Sequence, residues 1–267
     1  MIERTKSQQD PERFAAAVNA PYYQTDLAVA QYCDAHYGPD RFGIGNFSRE
    51  MVFLCCQVLD GRAPLRALDL GCAVGRSSFE LARFFKQVTA IDSSRRFIDV
   101  ARRIQKRARV CYSLLEEGDI LSDHKVYLAD LGLAETAQRV SFCQGDAQAL
   151  DPELGPYDLI LAANLIDRLP HPARFLVNIH RHLVSGGILV LASPYNWLEE
   201  YTAKKYWLGG HFRFGRPVDS LNGLRQRLNR HFQLIGEPCE LEFVIRETAR
   251  SYRHSISQVT CWQLLER

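Results

Sequence analysis

The residues of this chain are patterned for an α/β fold, a seven-stranded sheet with helices on both faces, preceded by a helical cap and interrupted by one hairpin insertion. Short apolar strands alternate with helix-length segments at the spacing of right-handed βαβ crossovers, which implies parallel pairing. Ile188 to Ala192 is an unbroken apolar run, expected of a strand buried on both faces. Four successive strands close on glycine, aspartate or asparagine, at the sheet edge where an open parallel sheet binds ligands. Together these features predict a Rossmann-like sheet, with residues 1–60 as cap helices and 61–267 as the core.

The first 20 residues are polar and expected to be loosely packed. Residues 23–36 read as a helix. From Phe47, apolar residues recur at Met51, Leu54, Cys55, Val58 and Leu59, one face of a second helix over 46–59. After Pro64 the period becomes two: Leu65 to Leu70 is a strand running into Gly71-Cys72-Ala73-Val74-Gly75. A helix over 76–85 follows, then a strand from Gln87 to Ile91 that ends at Asp92, then a helix over 95–106 capped by Ser94.

Val110 to Leu115 and Ile120 to Leu128 flank Glu116-Glu117-Gly118-Asp119, the pattern of an inserted hairpin. Alternation resumes with strands at Val140–Cys143 and Tyr157–Ala162, a helix over 172–183, and the run launched by Gly186-Gly187. Residues 193–218 are rich in aromatics without a clear period. A helix to about His231 then leads to strands at 232–235, 241–245 and 258–265.

Composition narrows the function classes. With 46% hydrophobic and 24% charged residues the chain can build an ordinary soluble core. Net charge is +2, from 33 basic and 31 acidic residues, so nothing in the overall balance favours nucleic acid or an anionic membrane as partner. No signal-like or spanning apolar stretch occurs, and the eight cysteines form no Cys-x-x-Cys. The expectation is a cytoplasmic protein with reduced, buried thiols and no metal site.

The strand ends predict the ligand. Gly71 permits a sharp turn and close backbone approach, with Gly75 completing the loop and Asp69 just before it. Asp92, followed by Ser93, can accept both hydroxyls of a ribose, each charge-assisted bond worth roughly 1.5–3 kcal/mol. Asp146, followed by Ala147, can accept an adenine amino group, and Asn164 can bond an amino-acid moiety. A dinucleotide would instead need G-x-G-x-x-G, and the positions here read Gly71, Ala73 and Arg76. A carboxylate at Asp69 suits an ammonium better than a pyrophosphate. S-adenosylmethionine is therefore the expected cofactor.

At these residues the sequence resembles the class I methyltransferases, and the match can be narrowed. The stretches Asp69-Leu-Gly-Cys-Ala-Val-Gly-Arg-Ser-Ser78, Asn164-Leu-Ile-Asp-Arg-Leu169, Ser193-Pro-Tyr-Asn-Trp-Leu-Glu-Glu200 and Ile245-Arg-Glu-Thr-Ala-Arg250 resemble the methyltransferase domain of ovothiol biosynthesis, as does Tyr22-Tyr23-Gln24-Thr25-Asp26. That resemblance covers nearly the whole chain from residue 22. It implies N-methylation of the side-chain imidazole of 5-thiohistidine (4-mercaptohistidine) to ovothiol A. Many members are fused behind an iron-dependent sulfoxide synthase, whose histidine cluster is not found here, which implies a stand-alone form.

The residues after strands four and five and near the last hairpin are the expected substrate contacts: Asp167, Arg168, Asn196, Arg246 and Glu247, with Tyr23 from the cap. Arg246 is the expected clamp for the amino acid's carboxylate. Tyr195 or Glu199 is the expected group that orients the imidazole.

Overall fold

The computed structural model describes residues 21–59 and 65–266; the polar stretch 1–20 and the expected cap–core junction at 60–64 lie outside the described residues. In chain order the strands are β1 (Arg66–Leu70), β2 (Gln87–Asp92), β3 (Arg109–Glu117), β4 (Ile120–Tyr127), β5 (Val140–Gln144), β6 (Tyr157–Ala163), β7 (Leu183–Ser193), β8 (His211–Arg213), β9 (Arg216–Val218), β10 (Phe232–Arg246) and β11 (Tyr252–Leu264). The α-helices are α1 (Asp26–Tyr37), α2 (Phe47–Gln57), α3 (Arg76–Leu81), α4 (Arg95–Arg107), α5 (Pro172–Asn178) and α6 (Ser220–Leu228).

Seven strands form one sheet in the order β10-β11-β7-β6-β1-β2-β5. Strands β5, β2, β1, β6 and β7 pair in parallel, while β11 runs antiparallel between β7 and β10. Strand order reverses at β1, which opens a crevice at the carboxyl edge between the two halves. Side chains alternate across the sheet. Ala67 belongs to the core beneath α1 to α4, whereas Leu68 and Leu70 belong to the core beneath α5 and α6.

The helix starts follow their caps. Ser94 Oγ accepts from the Phe97 N–H, as the sequence suggests, while Thr25 and Asn46 cap α1 and α2 in the same way. Thr25 thus delays α1 to Asp26, and Pro21–Gln24 is a 3-10 turn instead of the first turn of a helix from residue 23. The hairpin insertion is present as β3–β4, turning at Gly118 (φ 57°), and it packs along α1.

Three expectations need correction. The helix over 172–183 stops at Asn178 and continues as a 3-10 turn, and β7 already begins at Leu183. Gly186 (φ 70°) therefore marks an irregularity within β7, where the pairing with β6 shifts register, and does not start the strand. The segments 232–235 and 241–245 are one strand, β10, broken only by a bulge between Ile235 and Cys239. Gly236 (φ 63°) and Pro238, which has no N–H to donate, interrupt the ladder there. The aperiodic 193–218 segment contains the small ribbon β8–β9.

One consequence matters for the site. Gln258 pairs with Ser193, the last residue of β7, so Tyr252–Ser257 and their partners on β10 run on past the sheet edge as a two-stranded arm over the crevice. The thiols are also less uniform than expected. Cys33, Cys55 and Cys72 are buried, but Cys111, Cys143 and Cys239 fall on outward-facing strand positions and are exposed. No helix among the described residues is long and apolar enough to cross a membrane.

Candidate active site

A deep cavity opens at the carboxyl ends of β1, β2, β5 and β6, between the α1–α2 connection and the β10–β11 arm. Its floor is the turn after β1. Gly71 (φ 74°) donates its N–H to the Ile91 carbonyl at 2.8 Å, and a side chain there would press on Leu165, whose Cδ1 lies 3.2 Å from a built Cβ. Ala73 (φ 46°) then donates its N–H to Asp92 Oδ2 at 2.9 Å, and the Ser94 N–H donates to Oδ1 at 2.8 Å. Two backbone donors thus fix the plane of the Asp92 carboxylate while each oxygen keeps accepting capacity. Burial pushes its pKa up to about 6.

Asp69 lies behind the turn and also lines the cavity. It is buried, accepts from Ser78 Oγ at 2.6 Å, and is pushed up to about 7, mainly by burial and further by the nearby Asp92 charge. Asp146 accepts the Gln148 N–H on Oδ1 at 2.9 Å, which holds its side chain in a short Asx-type turn. Ser93 and Ala147 complete this wall. Asn164 (φ 52°) lines the opposite side, its Oδ1 accepting from Ser257 Oγ at 2.7 Å on the arm. Of the expected cofactor residues, only Gly75 lies outside the cavity wall. Its positive φ of 89° starts α3, and its Cα faces the Phe142 ring.

The expected substrate residues divide. Tyr23 and Arg168 line the cavity with Tyr201. Arg168 Nη1 donates to Asp167 Oδ2 at 2.8 Å and to the Asn196 carbonyl at 2.9 Å, and the guanidinium carbon sits 4.9 Å from the Tyr201 ring centre. Asp167 is wholly buried beneath it and reaches the cavity only through Arg168. Tyr195 (φ 52°) turns away to donate its hydroxyl to Gln258 Oε1 at 3.0 Å, while Asn196 and Glu199 are exposed outside the wall. The expected imidazole-orienting pair is therefore not brought to the cavity.

Arg246 is also elsewhere. The arm carries it past the cavity to the hairpin insertion, where Nη2 donates to Glu116 Oε2 at 2.5 Å. Glu247 accepts from Ser251 Oγ at 2.9 Å within the tip of the arm. The residues that the arm does present to the cavity are the apolar Phe243, Val244 and Ile245.

Residues from the end of α1 to the start of α2, among them His36, Asp40, Arg41 and Asn46, also line the cavity, though the sequence marks this stretch only as two helix ends and the connection between them. His36 Nδ1 accepts the Arg76 N–H at 3.4 Å, and burial drives its pKa down to about 3, so the ring is neutral. Tyr37 donates its hydroxyl to the Val74 carbonyl at 2.8 Å, which docks the end of α1 on the turn after β1. The one signal for this segment was its density of polar and charged groups, His36, Asp40, Arg41 and Asn46, in a short connection.

Comparison with known proteins gives consistent matches. A family described as a methyltransferase domain matches residues 50–234. The chain is 28% identical over 137 residues to the ubiquinone biosynthesis O-methyltransferase of Caulobacter sp. (strain K31), covering 50% of this chain and 44% of that protein. It is 28% identical over 188 residues to the trans-aconitate 2-methyltransferase of Deinococcus radiodurans, covering 67% and 60% respectively. The chain thus spans only about half the length of these curated relatives. Among solved structures, the N-methyltransferase NodS from Bradyrhizobium japonicum WM9, in complex with S-adenosyl-L-homocysteine, superposes with a TM-score of 0.53 at 17% identity, covering 92% of this chain and all of that one, a likeness of fold.

Proposed function

This chain belongs to the methyltransferase-domain family and has its Rossmann-like class I fold, and on that premise we propose that it is a cytoplasmic S-adenosylmethionine-dependent N-methyltransferase acting on the imidazole of 5-thiohistidine to give ovothiol A. One observation carries the cofactor: Asp69, Asp92, Asp146 and Asn164, from four different strand ends, border one cavity at the point where strand order reverses. The motif resemblance at residues 22–26, 69–78, 164–169, 193–200 and 245–250 supports the substrate. The runner-up is methylation of another small amine, thiol or carbon acid, since the named relatives act on other compounds.

The cavity fits the cofactor by its chemistry. The pinned Asp92 carboxylate has capacity for ribose hydroxyls, Asp146 for the adenine amino group beside Ser93 and Ala147, and Asp69 with Asn164 for the amino-acid end. Bound there, S-adenosylmethionine supplies an electrophilic methyl group. The chain contributes alignment, which is worth on the order of 7–11 kcal/mol of barrier when the geometry is held. Tyr23, Tyr201 and Arg168 exclude water from one side, with α1 and α2 serving as the cap. No strong base is needed, because an unperturbed imidazole (pKa about 6.5) is already largely neutral at pH 7.

Incubation with S-adenosylmethionine and 5-thiohistidine, followed by mass spectrometry, tests the reading. It expects methylated thiohistidine and S-adenosyl-L-homocysteine in equal amounts. Cofactor binding without that product would favour the runner-up.

The two raised acids predict a pH dependence. With folded pKa values of about 7 and about 6 against an ordinary 3.8, Asp69 and Asp92 stabilise the ligand-free fold when protonated, and that contribution, complete below 3.8, is lost as pH rises from there through the folded values. A cationic ligand favours their ionised forms. Affinity for S-adenosylmethionine should therefore rise about ten-fold between about pH 5.5 and 8, with release of about one proton near neutrality. Titration calorimetry in two buffers of different ionisation enthalpy reads both quantities, and a flat profile with no proton release contradicts the assignment.

A further inference from the structure

The α1–α2 connection holds charged groups that the cofactor reading leaves unused. Arg41 donates from Nη1 to Asp34 Oδ2 at 2.7 Å and from Nη2 to Asp34 Oδ1 at 3.1 Å. Asp34 is buried and also accepts the Tyr112 hydroxyl at 3.3 Å, so its carboxylate fixes the guanidinium plane from behind. Only two of the five guanidinium N–H donors are used in this pair. Among the described residues no other acceptor takes the rest, and the side chain, 18% exposed, borders the cavity. The Tyr252 ring of the arm lies 5.9 Å away and limits its movement.

The turn is stiff. Arg41 and Ile44 bridge through both N–H···O bonds, at 3.3 and 2.8 Å, around Phe42 and Gly43 at φ 54° and 78°. The neighbouring Asp40 also borders the cavity, half exposed, with Arg49 at 3.2 Å. A fork of N–H donors and a carboxylate thus stand one residue apart on a rigid turn. The Asp34–Arg41 pair is formally neutral, so it offers directed donors without the excess positive charge that phosphate would favour.

We propose that Asp40 and Arg41 form the subsite for the head group of an α-amino acid, Arg41 taking its carboxylate and Asp40 its ammonium, so that the acceptor side chain extends toward the cofactor end of the cavity. The inference rests on the reading of the cavity as a methyl-transfer site. It moves the role expected of Arg246 to Arg41, because Arg246 is engaged with Glu116 and Arg41 faces the cavity.

Calorimetry on the protein loaded with S-adenosyl-L-homocysteine tests it, with L-histidine and histamine as probes that differ only in the carboxylate. Wild type should bind histidine at least about ten-fold more tightly than histamine, the lower range for charge-assisted hydrogen bonds. Arg41→Met should abolish that preference and Arg41→Lys, which keeps the charge opposite buried Asp34 but loses the fork, should reduce it. Asp40→Asn should weaken both probes together and leave the preference intact. Binding of S-adenosyl-L-homocysteine reports that each variant is folded. Equal binding of the two probes, no histidine binding to wild type, or a preference that survives both Arg41 changes would overturn the subsite. Turnover of 5-thiohistidine is measured in parallel. No product alongside an intact histidine preference would count against the proposed methylation alone, and product without any preference would count against the subsite alone.

Discussion

Replacing Asp92 with alanine should weaken S-adenosylmethionine binding by roughly 10²–10⁴-fold, the largest single effect expected on the cofactor. On the proposed reading the side chain accepts two ribose hydroxyls, each charge-assisted bond worth about 1.5–3 kcal/mol. It also orders the turn after β1 through the Ala73 N–H, at 2.9 Å, so the variant loses a binding group and the loop geometry that shapes the floor. Asp92→Asn should be nearly as damaging. Both oxygens face backbone donors, from Ala73 and Ser94, and either orientation of an amide turns an N–H toward one of them. Calorimetric titration with S-adenosylmethionine, beside far-ultraviolet dichroism to show a retained fold, measures the effect. A dissociation constant close to that of wild type would remove Asp92 from the cofactor site.

Gly75→Ala should be the most damaging of the small changes near the site, and through stability, not contact with ligand. The residue sits at φ 89°, where an L side chain costs roughly 1–2 kcal/mol. An added Cβ would lie 2.7 and 2.8 Å from Phe142 ring atoms and 3.3 Å from the Ala101 methyl, in a core with no room to give, and overpacking of this kind costs about 1–3 kcal/mol. The two penalties together predict a loss of about 2–5 kcal/mol in denaturant unfolding. Phe142 also packs edge-to-face on Phe79 at 5.4 Å, so relief by ring movement would disturb α3. Unfolding within about 1 kcal/mol of wild type would show that the α3–β5 contact can relax.

The chain order of the strands up to β7, the cap at Ser94, and the acids at strand ends were all legible in the sequence. Each depends on a short stretch: a period of two, a hydroxyl three residues ahead of a free N–H, a carboxylate directly after an apolar run. Such features survive whatever the rest of the chain does. The errors came where a local signal had two structural outcomes. A double glycine can open a strand or bend one already begun, as Gly186 does in β7. Two apolar runs separated by glycine and proline can be two strands or one bulged strand, as in β10.

Local pattern thus determined that this protein is a wound α/β sheet with acids at the carboxyl ends of its strands. Tertiary structure alone decided what surrounds the crevice there. The register of β11 against β7 sets how far the arm overhangs, and so brings Val244 and Ile245 to the cavity while carrying Arg246 to Glu116, 130 positions away in sequence. Docking of Tyr37 on the Val74 carbonyl likewise brings Asp40 and Arg41 to the rim from a connection with no periodicity of its own. Which distant side chains meet depends on closing loops between them against chain entropy, a cost offset by the whole packed core and written in no single segment.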